Sequence, residues 1–143
     1  MRREDVLLEL IYIAPEKMMS PIQIMKSLFL IEEELKLGLY KFQPYLYGPC
    51  SFEVYSDLEH LENEILISSF PTTTGWKYYQ ITDKGKRIAK EIEKNFDNKL
   101  LEKLQEVKRT VVSKSFFELL KYIYEKYPEY AVASIVNIKG FKR

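Results

Sequence analysis

One cysteine, one histidine and five glycines in 143 residues leave little material for several kinds of chemistry. Cys50 has no second cysteine with which to form an internal disulfide, and no CxxC pair or Cys/His cluster supplies the spacing of a metal site. There is no Gly-rich phosphate loop, no H-E-x-x-H and no G-x-S-x-G. Catalysis needs a base, a nucleophile and a group to stabilise developing charge, held within reach of one substrate. His60 falls among acids on a helical pattern, and Glu32, Glu33 and Glu34 spread around a helix as a solvated face would. We therefore expect no enzyme, no cofactor and no metal. No apolar run approaches the roughly 18 residues of a membrane helix. The start "MRREDVLLEL" turns acidic where a signal peptide would become apolar. The expectation is a cytoplasmic protein with no membrane partner.

What the chain does have is an uneven distribution of charge. The formal total is +1, but Glu4 to Glu64 carries four Lys against twelve acids, whereas Trp76 to Arg143 carries sixteen Lys or Arg against nine acids. A polyanion would be drawn to the second half, where the local potential is positive.

The apolar spacing predicts helices over about residues 4–13 and from Pro21 to about Leu35. The second has a strong start signal in Ser20-Pro21-Ile22-Gln23: a cap, a proline at the first helical position, and Gln to return a bond. Its apolar residues cover two faces, so it should be the centre of the core. "KLGLYKFQPYLYGPC" is broken by Gly38, Pro44, Gly48 and Pro49 and reads as a structured aromatic loop. A third helix from about Ser51 puts Val54, Leu58, Leu61 and Ile65 on one stripe, and Phe52, Ser56, Glu59, His60 and Asn63 on the other side. "LISSF", "PTTTG" and "WKYYQI" read as two strands and a turn, forming a wing. A fourth helix over 83–95, capped by Thr82 or Asp83, exposes Lys84, Lys86, Arg87, Lys90 and Lys94. Two further helices follow near 98–110 and 114–127. "YAVASIV" reads as either a short helix or an extended piece, and the basic end "IKGFKR" as a solubilising terminus, a tail or a nucleic-acid contact. The expected fold is mainly α with a small β-hairpin wing: a winged helix-turn-helix of residues 1–95 with a C-terminal helical extension of 96–143, all one domain.

"YYQITDKGKRIAKEI" resembles the strand-plus-helix ending of PadR-like winged-helix regulators, with Ile81 in the Leu place of Y-x-L-T-x-x-G. "PIQIMKSLFLI", "YKFQPYLYGPCSFEVYSDLEHLENEILI" and "LLKYIYEKYPEYAVASIV" together resemble the YwgA-like group and the SocA or Panacea antitoxin-associated domain over most of the chain. The matching positions are Lys26, Tyr47, Gly48, Pro49 and Tyr127-Pro128. Ile24-Met25-Lys26 stands where the group more often shows Leu-Gln-Lys. The resemblance implies a non-enzymatic binding module, in some relatives one that neutralises a toxin or serves defence-linked regulation.

The third helix, with Glu53, Asp57, Glu59, Glu62 and Glu64 and no Lys or Arg, suits a DNA groove poorly, since duplex DNA carries one negative charge per about 1.7 Å of axis. The preferred expectation is a protein partner, such as a toxin or a regulated enzyme, bound by Phe52, Ser56, Glu59, Tyr45 and Tyr47; aromatic residues are enriched in interface centres. These loop aromatics have a plainer reading as core packed on the second helix. The other expectation is duplex DNA, with Lys77, Lys84, Lys86, Arg87 and Lys90 following phosphates. A homodimer paired through Leu100, Leu101, Leu104, Val107 and Val111 is a further candidate, with internal packing as its equal rival. Any small ligand is sought between the Tyr-Gly-Pro loop and the C-terminal helices.

Overall fold

A computed structural model describes residues 2–73, 75 and 77–136. The stretch "IKGFKR" lies outside them, as does Trp76 of "WKYYQI". Among the described residues, six α-helices and five short strands follow in the order α1 (Arg3–Ile13), β1 (Met18–Met19), α2 (Pro21–Leu35), β2 (Gln43–Tyr45), β3 (Gly48–Cys50), α3 (Phe52–Asn63), β4 (Ile67–Pro71), β5 (Lys77–Ile81), α4 (Asp83–Glu93), α5 (Asn98–Val112) and α6 (Phe116–Lys126). The fold is mainly helical with a small antiparallel sheet. None of the described helices is long and apolar enough to cross a membrane.

The helix starts follow their caps. Ser20 accepts from the Gln23 N–H while Gln23 Oε1 accepts from the Ser20 N–H, the reciprocal pair expected from the sequence. Ser115 and Glu118 form the same box on α6, Asp97 caps α5, and Thr82 caps α4 through the Gly85 N–H. The sheet has the order β1-β5-β4, so the two-residue β1, which has no readable signal in the sequence, adds an edge to the hairpin through Met18–Gln80 and Met19–Tyr79 pairing. The aromatic loop holds a second small hairpin, β2 with β3.

The core has two central helices. α1 is buried continuously from Val6 to Ile11, and α2 from Ile24 to Ile31. The first of these has no single apolar face, because helices and strands surround α1 on most sides. Leu100, Leu104, Val107 and Val111 of α5 are buried and Leu101 half-buried, so the stripe considered for dimer pairing packs inside this chain. Tyr40 is buried and Phe42 half-buried against Phe29 of α2, which places these two loop aromatics in the core.

Two expectations change. Ile65 does not extend the α3 stripe: the helix stops at Asn63, and Ile65 is 65% exposed with φ +61°. The Leu66 N–H bonds back to the Leu61 carbonyl and the Ile65 N–H to Glu62, a helix ending that normally has glycine at the left-handed position. Ile67, on β4, fills the interior instead. The three consecutive glutamates also differ from a solvated face. The Glu32 carboxylate accepts the backbone N–H groups of Gly38, Leu39 and Tyr40, which closes the loop after α2, and Glu34 pairs with Lys103 at 3.0 Å and Lys126 at 3.4 Å. After α6 the chain makes a 3-10 turn at Pro128–Ala131 and then runs irregularly to Val136, with the Ile135 N–H bonded to the Leu46 carbonyl.

Candidate functional site: the aromatic face of α3

Lys26 and the Tyr-Gly-Pro turn set the position of α3. Lys26, on the buried side of α2, sends its Nζ 3.0 Å to the carbonyl of Pro49. Burial brings its pKa down to about 8, with the neighbouring Cys50 opposing the fall. The Ser51 N–H points at Met25 Sδ. Gly48, at φ +91°, lies so close to the Tyr124 ring that a Cβ would fall 2.8 Å from Cε1, so the turn packs directly on α6. Tyr124 in turn donates to Ser134 Oγ at 2.7 Å. The turn is thereby held from both sides, and the next residues, Ser51 and Phe52, start α3 at its end.

From this support an aromatic ridge faces outward. Phe52 is 50% exposed, Tyr45 meets it edge-to-face at 5.2 Å between ring centres, and Tyr55, one turn along, lies 6.5 Å away. Ser56 and Glu59 continue the exposed face. Of the residues expected to bind a partner, Tyr45, Phe52, Ser56 and Glu59 are thus brought to one side. Tyr47 is not among them: it is half-buried, with its ring 5.6 Å from Phe116 of α6. Tyr55 belongs to the ridge and was missed, although its three-residue spacing from Phe52 is a readable signal.

The acids of α3 are mostly engaged within the protein. Arg3 of α1 reaches Asp57 through Nε at 2.7 Å and Nη2 at 3.2 Å, and Glu53 through Nη1 at 2.7 Å. Tyr40 donates to the same Asp57 at 2.6 Å, and the Arg3 guanidinium lies 5.2 Å from the Tyr40 ring centre. These hydrogen bonds hold the Arg3 pKa above its usual value, while burial, and then the bond to Asp57, raises that of Tyr40. Glu62 accepts from both the N–H and the hydroxyl of Ser69, and His60 contacts Glu4 and Glu64. Hydrogen bonding to Glu4 raises the His60 pKa. The solvent-facing acidity is therefore carried by Glu59 and the exposed part of Glu53 at the edge of the ridge, and by Glu64 just past the end of α3.

The basic residues gather elsewhere. Lys84, Lys86, Arg87 and Lys90 are exposed on α4, and Lys77 is exposed on β5 with Nζ 5.1 Å from the Tyr79 ring. Lys84 already donates to the Glu64 carbonyl at the end of α3, and Lys86 lies 3.5 Å from Asp83. Among the described residues no group of three or more His, Cys, Asp or Glu side chains could hold a metal ion. No protein-family model and no curated protein matches the chain.

Proposed function

We propose that the chain is a winged-helix regulatory module, antitoxin- or adaptor-like, which docks a protein partner on the ridge of Tyr45, Phe52 and Tyr55. The sheet order β1-β5-β4 supports the winged-helix reading, because a strand between the first two helices completes the hairpin that follows the third. In that arrangement α3 stands where a recognition helix would, and it contains no Lys or Arg.

The observation that carries the reading is the exposed cluster of three aromatic rings, Tyr45 edge-to-face with Phe52 and Tyr55 tilted against it, on a rigidly supported helix start. Rings with few rotatable bonds lose little entropy on binding, and they form the buried anchors of many interfaces. Glu53 and Glu59 flank the ridge, so the fitting occupant is a segment of a toxin or regulated enzyme that carries apolar and basic side chains together. Phe52→Asp should abolish capture of a partner from native extract. Ile65→Asp, an exposed apolar site off the ridge, should leave it intact. Equal capture by both variants would remove the ridge from the account.

A second reading is favoured by the row of exposed cations on α4 with Lys77: duplex DNA held through phosphates, with α3 outside the groove. Its signature is binding that falls steeply with salt and is lost in Lys84→Glu with Arg87→Glu. Negligible binding at low salt would exclude it.

A further inference from the structure

Where α1 meets α4 and α5, a cavity of about 200 Å³ is lined by Glu9, Glu93 and Gln105, one from each helix, with Ile13, Leu101 and Leu104 as its apolar wall. Glu9 is 1% exposed, and neither of its carboxyl oxygens meets an N–H or hydroxyl donor among the described residues; its hydrogen-bonding neighbour is another acid, Glu93, which it can bond only by keeping a proton between them. A buried carboxylate without donors is strongly disfavoured, so the group keeps its proton. Burial, and then the hydrogen bond and charge of Glu93, push Glu9 up to about 9, with Lys17 opposing. Protonated, Glu9 presents one hydroxyl donor and one acceptor oxygen, and the acid pair with Glu93 is held together by that proton.

We propose that this cavity binds a small organic cation, a primary ammonium on a short apolar chain, whose three N–H donors are accepted by Glu9, Glu93 and Gln105. An ammonium has three donors and no acceptor, which matches three acceptor-bearing side chains on three helices. The apolar wall accounts for the chain attached to it. At roughly 30 Å³ per heavy atom, taking the liquid volume of a water, the space holds about six or seven such atoms. Calcium and magnesium fit less well, because they take about six or more oxygen ligands and two carboxylates begin that shell without completing it. Entry of the ammonium displaces the Glu9 proton to solvent, so one proton leaves for each cation bound below pH 9. The site lies apart from the aromatic ridge, and its failure would leave the partner reading untouched.

The test is calorimetric titration of the full chain with n-butylammonium chloride at pH 7, 8 and 9, in pairs of buffers of different ionisation enthalpy. Saturable binding is expected, with close to one proton released at pH 7 and affinity rising up to tenfold per pH unit towards 9. Glu9→Gln, of nearly the same shape, should weaken binding at least tenfold and abolish the proton release. Glu93→Gln, at a half-buried position where folding is less at risk, should weaken it several-fold. The proposal is overturned by no saturable binding across this pH range, by equal binding in both variants, by n-butanol binding as well as the amine, or by magnesium binding where the amine does not.

Discussion

The two ends of α1 meet buried acids in opposite ways. At its start, Arg3 and Tyr40 surround Asp57 of α3, a carboxylate 6% exposed that accepts three hydrogen bonds. Two turns later Glu9, buried even more deeply, meets only another acid, Glu93 of α4. In the first junction the charge is used to fasten two helices. In the second the charge is suppressed, and α4 is fastened by shape to the chain before β4 instead: the carbonyl of Leu66 lies where a Cβ on Gly85 would be, 2.1 Å away, and Thr82 caps the helix just before it. A buried acid stabilises a fold only when donors meet it; depth by itself works against it.

Removing the donors' target should give the largest effect. Asp57→Ala leaves the Tyr40 hydroxyl and part of the Arg3 guanidinium unpaired, and we expect a loss of roughly 2–4 kcal/mol, tempered by the third of Arg3 that remains exposed. Urea unfolding measures it; a loss below about 1 kcal/mol would mean that the charged junction does not fasten α1 to α3. Glu9 should act through pH. Its folded-state value is raised above 4.5, so its stabilising contribution is complete below that pH and is lost as pH rises towards about 9. At about 1.36 kcal/mol per unit, up to roughly 3 kcal/mol is lost by pH 7. The difference between wild type and Glu9→Gln in unfolding free energy should show this slope from pH 5 to 8, and parallel profiles would refute it.

Gly85→Ala tests the junction made by shape. The added carbon meets backbone, which cannot rotate away, and a loss of about 1–3 kcal/mol is expected in the same unfolding experiment. Ile65→Gly should move the other way by roughly 0.5 kcal/mol, since relief of the left-handed backbone exceeds the entropy lost by introducing glycine. Smallest of all, Lys90→Glu on the exposed side of α4 should stay within about 0.5 kcal/mol, because it disturbs no buried group. A larger loss there would show that α4 too depends on charge.

The helices and their starts were legible because caps and periodicity act over three or four residues: Ser20 with Gln23, and Thr82 before α4, need nothing distant. β1 was not, since a two-residue strand exists only through its partners in β5. The site was half legible. Phe52, Ser56 and Glu59 follow from helical spacing, but the separation of Tyr45 from Tyr47 depends on the turn between β2 and β3, which sends one ring to Phe52 and the other to Phe116.

The order of residues by itself determined where helices begin, which faces are apolar, and that the first half of the chain is acidic and the second basic. Only the tertiary structure decided which of those acids solvent meets. Arg3 and Asp57 stand 54 positions apart, as Glu9 and Glu93 stand far apart on different helices, and electrostatic energy depends on distance in space and on burial, neither of which a chain position contains.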